Sequence, residues 1–205
     1  GFNINTNNPA VGAAFASGSI AGKTGQTDVA VVNRGYSDSN GNQLSTGSVQ
    51  ILFGNGQVLQ GSETSPLTAI DLSGNPDGVL IEGFDDLGIS NGGLALSATL
   101  GYISSSTQED LVIGDPNANN GQGVVYVIYG SYLAANPNTK INITTLTSSQ
   151  GYTINPTTGS FGFGTTVAVG NFDGAGTNDI AIGAPSTNNG AGAVYIAYNP
   201  TATSN

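Results

Sequence analysis

The chain carries three copies of one unit, and that internal repeat limits its possible folds more than any other feature. GFNI from Gly1, GVLI from Gly78 and GYTI from Gly151 share one pattern: glycine, an apolar residue, a variable residue, isoleucine. Further along each copy come TDVAVV from Thr27, EDLVIG from Glu109 and NDIAIG from Asn178. Later still come GSVQILFG from Gly47, GVVYVIYG from Gly123 and GAVYIAYN from Gly192. The order never changes, so the chain divides into repeats at about 1–77, 78–150 and 151–205.

Each unit reads as short strands. Asp-Val-Ala-Val, Asp-Leu-Val-Ile and Asp-Ile-Ala-Ile are apolar at every position after the aspartate, as a strand covered on both faces must be. The VYV-type runs are rich in β-branched and aromatic residues, which suit a pleated surface. Asn40-Gly41, Asn120-Gly121 and Asn189-Gly190 fall between these two strands, and Asn55-Gly56 follows the third strand of the first unit. Both residue types accept positive φ at low cost, so the pairs predict hairpin turns. No segment of useful length has helical period.

The prediction is an all-β chain of four-stranded antiparallel meanders. A sheet with two apolar faces must stack against its siblings, which means β-propeller blades or, as the lesser alternative, another stacked β array. Units of roughly 70 residues exceed ordinary blades of about 40–50, and long loops account for the excess. Propellers close with about four to eight blades. About three blades therefore predict a larger propeller, completed by further blades of a longer chain or by partner chains.

Composition narrows the function. Thirteen carboxylates against three cations (Lys23, Arg34, Lys140) give a net charge of −10. That sign repels phosphate backbones, so nucleic acid is excluded as a partner and a divalent cation is the more natural one. No run is long and apolar enough to span a bilayer, so membrane insertion is not expected. No leader is visible, and without an initiator Met the chain is expected to be a processed piece or part of a longer polypeptide. The lack of Cys excludes disulfides but not secretion.

FGFGTTVAVGNFDGAGTNDIAIGAP, from Phe161 to Pro185, resembles the FG-GAP repeat, the blade motif of integrin α-subunit propellers and many bacterial surface proteins. The FG is read at Phe161-Gly162 and the GAP at Gly183-Ala184-Pro185. Looser copies start at Leu87 and Val11, and LTAIDLSGNPDGVLI and INITTLTSSQGYTI are similar to the family's connectors. The resemblance covers essentially the whole chain and implies a propeller, normally of seven blades. It also implies an extracellular or cell-surface location. Independently of the name, Gly162, Gly164 and Gly170 suit close backbone approach or sharp bends at strand ends.

The family's loop pattern, D-x-[DN]-x-D-G-x-x-D, implies a calcium site. Matched here, it puts Asn171 first, Asp173 third, Ala175 fifth and Asp179 ninth, with Thr177 offering its carbonyl. Calcium takes six to eight oxygens, and the fifth position has lost its carboxylate. Gly174 and Gly176 keep a tight turn open to the loop. In the second unit Tyr102, Ser104 and Ser106 replace the ligands and leave Asp110; the first has Ser19, Ala21 and an insertion, leaving Asp28. The last aspartate thus persists where no ion can be held, which fits a carboxylate accepting backbone N–H bonds at the turn. At the third loop both readings, calcium and an Asx-capped turn, stay open. Asp85-Asp86 is read as a solvated turn.

Without His or Cys the familiar triads and zinc sites cannot be built. Paired carboxylates remain as an acid/base option, but Glu63, Glu82 and Glu109 form no evident pair with an Asp. The chain is therefore expected not to be an enzyme. Two binding readings remain: an adhesion or structural propeller with a protein or polysaccharide partner, and a lectin-like propeller. A non-catalytic module of a larger secreted enzyme is a further alternative. Tyr126, Tyr129, Tyr195 and Tyr198 fall inside strand patterns and are expected to pack between blades. Asn142-Ile143-Thr144 fits a glycosylation acceptor. The variable segments 35–46, 117–122 and 186–191 are expected to crowd one rim and form the contact surface.

Overall fold

The computed structural model describes residues 2–5, 11–22, 26–33, 36–37, 43–45, 47–54, 68–71, 78–84, 96–157 and 160–201. Its first strands are β1 (Phe2–Asn5), β2 (Val11–Gly18), β3 (Asp28–Asn33), a small ribbon of β4 (Tyr36–Ser37) and β5 (Gln43–Ser45), and β6 (Ser48–Leu52). Next come β7 (Thr68–Asp71), β8 (Gly78–Glu82), β9 (Ser97–Gly101), β10 (Asp110–Asp115), β11 (Val124–Ile128) and β12 (Lys140–Asn142). The series ends with β13 (Gly151–Ile154), β14 (Thr166–Gly170), β15 (Asp179–Ala184) and β16 (Ala193–Ala197). The chain is all-β, as the repeat predicts.

Three antiparallel blade sheets result. The first blade runs β2-β3-β6-β8, the second β9-β10-β11-β13, and the third β14-β15-β16. Each outer strand is a Gly-apolar-x-Ile segment: Gly78 pairs with Leu52 in the first blade, and Gly151 with Ile128 in the second. The outer strand of a blade therefore comes from the start of the following sequence unit. Blades are offset by one strand from the 1–77, 78–150 and 151–205 repeats, because a repeat can be cut at any phase while hydrogen bonding cannot.

The stacking follows from the period-two alternation of side chains along a strand. Leu111 and Ile113 of β10, with Val124, Tyr126 and Ile128 of β11, join the core shared with Ala30, Val32, Val49 and Ile51 of the first blade. Their neighbours Val112, Val125 and Val127 turn the other way, to a core shared with Ile180, Ile182 and Tyr195 of the third. The second blade is thus sandwiched, and every residue of β10 and β11 is buried. Each such side chain contributes about 1.5–3 kcal/mol relative to exposure. Innermost strands β2, β9 and β14 lie beside one another.

Backbone contact between the second and third blades depends on glycine. Phe163 N donates to Gln122 O at 3.0 Å, and Phe163 itself is buried in the interblade core. Gly164, at φ +89°, lies against Gly114, where any Cβ would collide with the Gly164 carbonyl and with Ser97 Oγ. That carbonyl already accepts from Ser97 Oγ at 2.8 Å.

Two features depart from a plain antiparallel meander. β12 adds to β8 in parallel, so the connector leaving the second blade supplies a fifth strand to the first. β7 pairs with β1 in the same parallel manner. These strands are too short to show a period, and in β12 only Ile141 is buried. A short helix, Gly130–Ala135, also follows β11, with Leu133 fully buried. Six residues are too few to display helical period in sequence.

Candidate functional site

The three repeat aspartates all turn inward. Asp28 is buried and accepts from Ala21 N at 2.7 Å and from Gly54 N at 2.8 Å. Asp110, fully buried, accepts from Ser104 N at 2.6 Å, Ser104 Oγ at 2.9 Å and Gly130 N at 2.8 Å. Asp179 accepts from Phe172 N at 2.7 Å, Asp173 N at 3.3 Å and Asn199 N at 2.9 Å. Each carboxylate thus ties the loop before its strand to the exit of the strand beyond. The Asn199 N–H is the main cause holding the Asp179 carboxyl below the ordinary range; Phe172 and Asp173 help, and burial opposes them.

The rest of the acidic loop closes on itself. Asn171 Oδ1 accepts from Gly174 N at 2.6 Å, and Asp173 Oδ1 from Ala175 N at 2.7 Å. Asp173 Oδ2 accepts from Asn199 Nδ2 at 3.3 Å, and Thr177 is exposed. Gly174 and Gly176 take positive φ, as the tight turn requires. Every carboxylate and amide oxygen of Asn171, Asp173 and Asp179 therefore has a protein donor directed at it. Calcium takes six to eight oxygens, and here it would have to share them with N–H dipoles that oppose a cation. These residues fit an Asx-capped turn and do not fit an ion cradle. Among the described residues, no group of three or more His, Cys, Asp or Glu is gathered to hold a metal.

The opposite ends of the blades carry a different arrangement. Between β10 and β11, Asn119, Asn120 and Gly121 stand at φ 53°, 59° and 84°. Between β15 and β16, Asn188, Asn189 and Gly190 stand at 55°, 57° and 89°. Three successive left-handed residues make a broader turn than the tight hairpin the Asn-Gly pairs predict. The four asparagines are exposed. Phe161 is fastened beside the second turn, its N–H donating to Thr187 Oγ1 at 2.9 Å. The next residue reaches the first turn, Gly162 N donating to Gly121 O at 2.8 Å. Phe161 is 47% exposed, on the segment that the Thr187 and Gly121 contacts tie to both turns. Sequence reading assigns Phe161 to its motif and gives no sign of this exposure, whereas the repeated Asn-Asn-Gly turns were visible.

Other candidates resolve as packing. Tyr126 meets Phe84 edge-on at 5.9 Å, Tyr129 meets Tyr152 at 5.9 Å, and Tyr195 meets Phe163 at 5.4 Å. Tyr198 differs, being 57% exposed. Tyr152 is buried and donates to Pro200 O at 2.9 Å; burial pushes its phenol well up. Asn142 is exposed, and its Oδ1 accepts from Thr144 N at 3.0 Å and Thr144 Oγ1 at 2.8 Å, closing a 3-10 turn. Glu109 is spent on the neighbouring blade: its Oε2 accepts from Ser19 N, and its own N donates to Ser19 O at 3.0 Å. Asn40-Gly41, Asn55-Gly56, Glu63, Asp85-Asp86 and most of segment 35–46 lie outside the described residues. Among those described, no helix is long and apolar enough to cross a membrane.

Comparison with known proteins adds one match. The FG-GAP repeat profile covers residues 163–196, which span β14 to β16. The match starts at Phe163-Gly164 rather than at Phe161-Gly162, in keeping with Phe163 being buried between blades while Phe161 faces solvent. No curated protein matches the chain.

Proposed function

We propose that this FG-GAP-containing blade array is a non-enzymatic, extracellular or cell-surface binding segment whose rim engages a protein or polysaccharide. One observation carries the reading: exposed Phe161 lies between the Asn119-Asn120 and Asn188-Asn189 turns. A ring face offers stacking and cation–π contact, while amides both donate and accept.

A non-catalytic role is supported by how the carboxylates are used. Asp28, Asp110 and Asp179 are committed to backbone N–H groups, and Glu109 to Ser19. A surface location is supported by the FG-GAP resemblance and by the polar, anionic composition.

Within this reading the aromatic-and-amide pattern favours polysaccharide over protein, because sugar rings stack on aromatic faces and present hydroxyls to amides. A glycan array on the native chain and on Phe161→Ala tests the choice. Specific sugar capture without turnover, lost in the variant, is the expected result. If no sugar binds, a pull-down against envelope or matrix proteins follows, with segments 117–122 and 186–191 replaced by Gly/Ser. Binding unchanged after both replacements overturns the rim reading altogether. Calcium is tested separately by calorimetry on the native chain and Asp173→Ala: a heat lost in the variant establishes the ion, and equal null heats remove it.

A further inference from the structure

Three Asn-x-Thr triplets occur in the sequence: Asn142-Ile143-Thr144, Asn155-Pro156-Thr157 and Asn199-Pro200-Thr201. N-linked glycosylation takes Asn-x-Ser/Thr only where the middle residue is not proline. The second and third triplets are closed to it on that ground. At Asn199 the fold closes it again: the side-chain amide donates to Asp173 Oδ2 at 3.3 Å and the backbone N–H to Asp179 Oδ1 at 2.9 Å. Asn142 meets neither obstacle, and rim binding makes no use of it.

The fold presents this triplet outward on a fixed segment. β12 pairs only with β8 among the described strands, at the end of its sheet. Ile141 and Ile143 are buried in the core and anchor the segment from beneath, while Asn142 and Thr144 are exposed. The amide's contacts all fall on its oxygen. Oδ1 accepts from Thr144 N at 3.0 Å and Thr144 Oγ1 at 2.8 Å, and it lies over Gly83, where a Cβ would collide with it. A flipped amide would set its NH2 against the Thr144 N–H, donor to donor, so the turn fixes the orientation. Nδ2 has no partner among the described residues. An Asx turn needs only the acceptor oxygen, which aspartate supplies equally well. The nitrogen is surplus to the turn.

We propose that Asn142 carries an N-linked oligosaccharide. The donor class is an oligosaccharide held on a polyprenyl diphosphate. Nδ2 attacks the anomeric carbon, and a C–N bond forms as the C–O bond to the diphosphate breaks. The diphosphate leaves with the electron pair, and Nδ2 gives one proton to a base of the transferring enzyme. Nothing is oxidised or reduced. This chain supplies the amide and, two residues on, the hydroxyl by which the triplet is read. A glycan at Asn142 enters neither interblade core. Bulky and solvated, it also screens an end strand whose free backbone groups would otherwise invite pairing. The proposal goes beyond rim binding but rests on the extracellular reading, because such donors are met along the export route.

Mass spectrometry of the native protein, isolated from its own cells, tests it. The peptide holding Asn142 is expected to carry an oligosaccharide, which a peptide N-glycosidase removes while converting Asn142 to aspartate. Asn142→Asp keeps the oxygen that caps the turn, so it is expected to lose the glycan with its far-ultraviolet spectrum unchanged. Thr144→Ser is expected to keep the glycan and Thr144→Val to lose it; a purely structural triplet would show no added mass in any of these. A bare Asn142 in the native protein, or a glycan that persists in Asn142→Asp, overturns the proposal. The same chain exported behind a secretory leader from cultured animal cells separates the causes of a bare native site. Modification there alone faults the location reading, and a bare Asn142 in both faults the acceptor geometry.

Discussion

Val125 and Val194 hold the same place in consecutive blades, the second residue of the third strand, yet one is fully buried and the other 72% exposed. Around them the two blades are built alike. Each has a buried aspartate pinning its loop, an Asn-Asn-Gly turn in left-handed conformation, and an aromatic residue facing the preceding blade. What differs is the neighbour. Among the described residues, the second blade has a sheet on each side and an outer strand, whereas the third has a sheet on one side and no strand beyond β16. Strand pattern thus encodes two-sided burial, and the surroundings decide whether it is realised.

The largest expected effect separates the two aspartates. Asp110→Ala orphans the buried Gly130 N–H and the Ser104 donors, a loss of about 2–4 kcal/mol in urea unfolding. Asp179→Ala should cost less, because residues 171–177 are exposed and water replaces part of what is lost. An equal or greater loss at Asp179 would break the distinction.

Glycine gives the next contrast. Gly114→Ala drives a methyl group into the Gly164 carbonyl and should cost about 1–3 kcal/mol. Gly183→Ala, its counterpart on the open face, meets chiefly the Thr166 side chain, and in dilute solution the change should stay within about 0.5 kcal/mol. Valine truncation runs parallel on a smaller scale. Val125→Ala should lose about 1–2 kcal/mol and Val194→Ala almost nothing, both read as shifts in the unfolding midpoint.

The smallest expected effect concerns pH. Asp179 is held below its ordinary value of 3.8 in the folded chain, so its folded form binds the proton less readily than its unfolded form. The resulting stability is fully present above that value and disappears as pH falls through the folded pKa. Acid unfolding of Asp179→Asn should therefore flatten at the acid end relative to the native chain, as a slope of unfolding midpoint against pH. An unchanged slope would show that the Asn199, Phe172 and Asp173 N–H groups do not hold the charge.

Much of this was legible in the sequence, for identifiable reasons. Asp-Leu-Val-Ile and Gly-Val-Val-Tyr-Val-Ile announce strands covered on both faces, and β10 and β11 are buried throughout. The persistence of Asp28 and Asp110 in loops without other ligands pointed to a backbone role, and both carboxylates have it. The fifth strand was not legible, since Lys140-Ile141-Asn142 buries one side chain and its partner lies in another unit. Nor was the exposure of Phe161, which depends on Phe163 taking the buried place two residues later. A choice between two phenylalanines of one motif is made by packing, which local pattern does not contain.

Amide hydrogen exchange in β11 and β16 tests most directly whether two strands of one pattern differ through their surroundings. The β16 amides directed away from β15 should exchange orders of magnitude faster than the β11 amides directed toward β13. Equal protection in both strands would mean that β16 has an outer partner as β11 does, and would contradict the account.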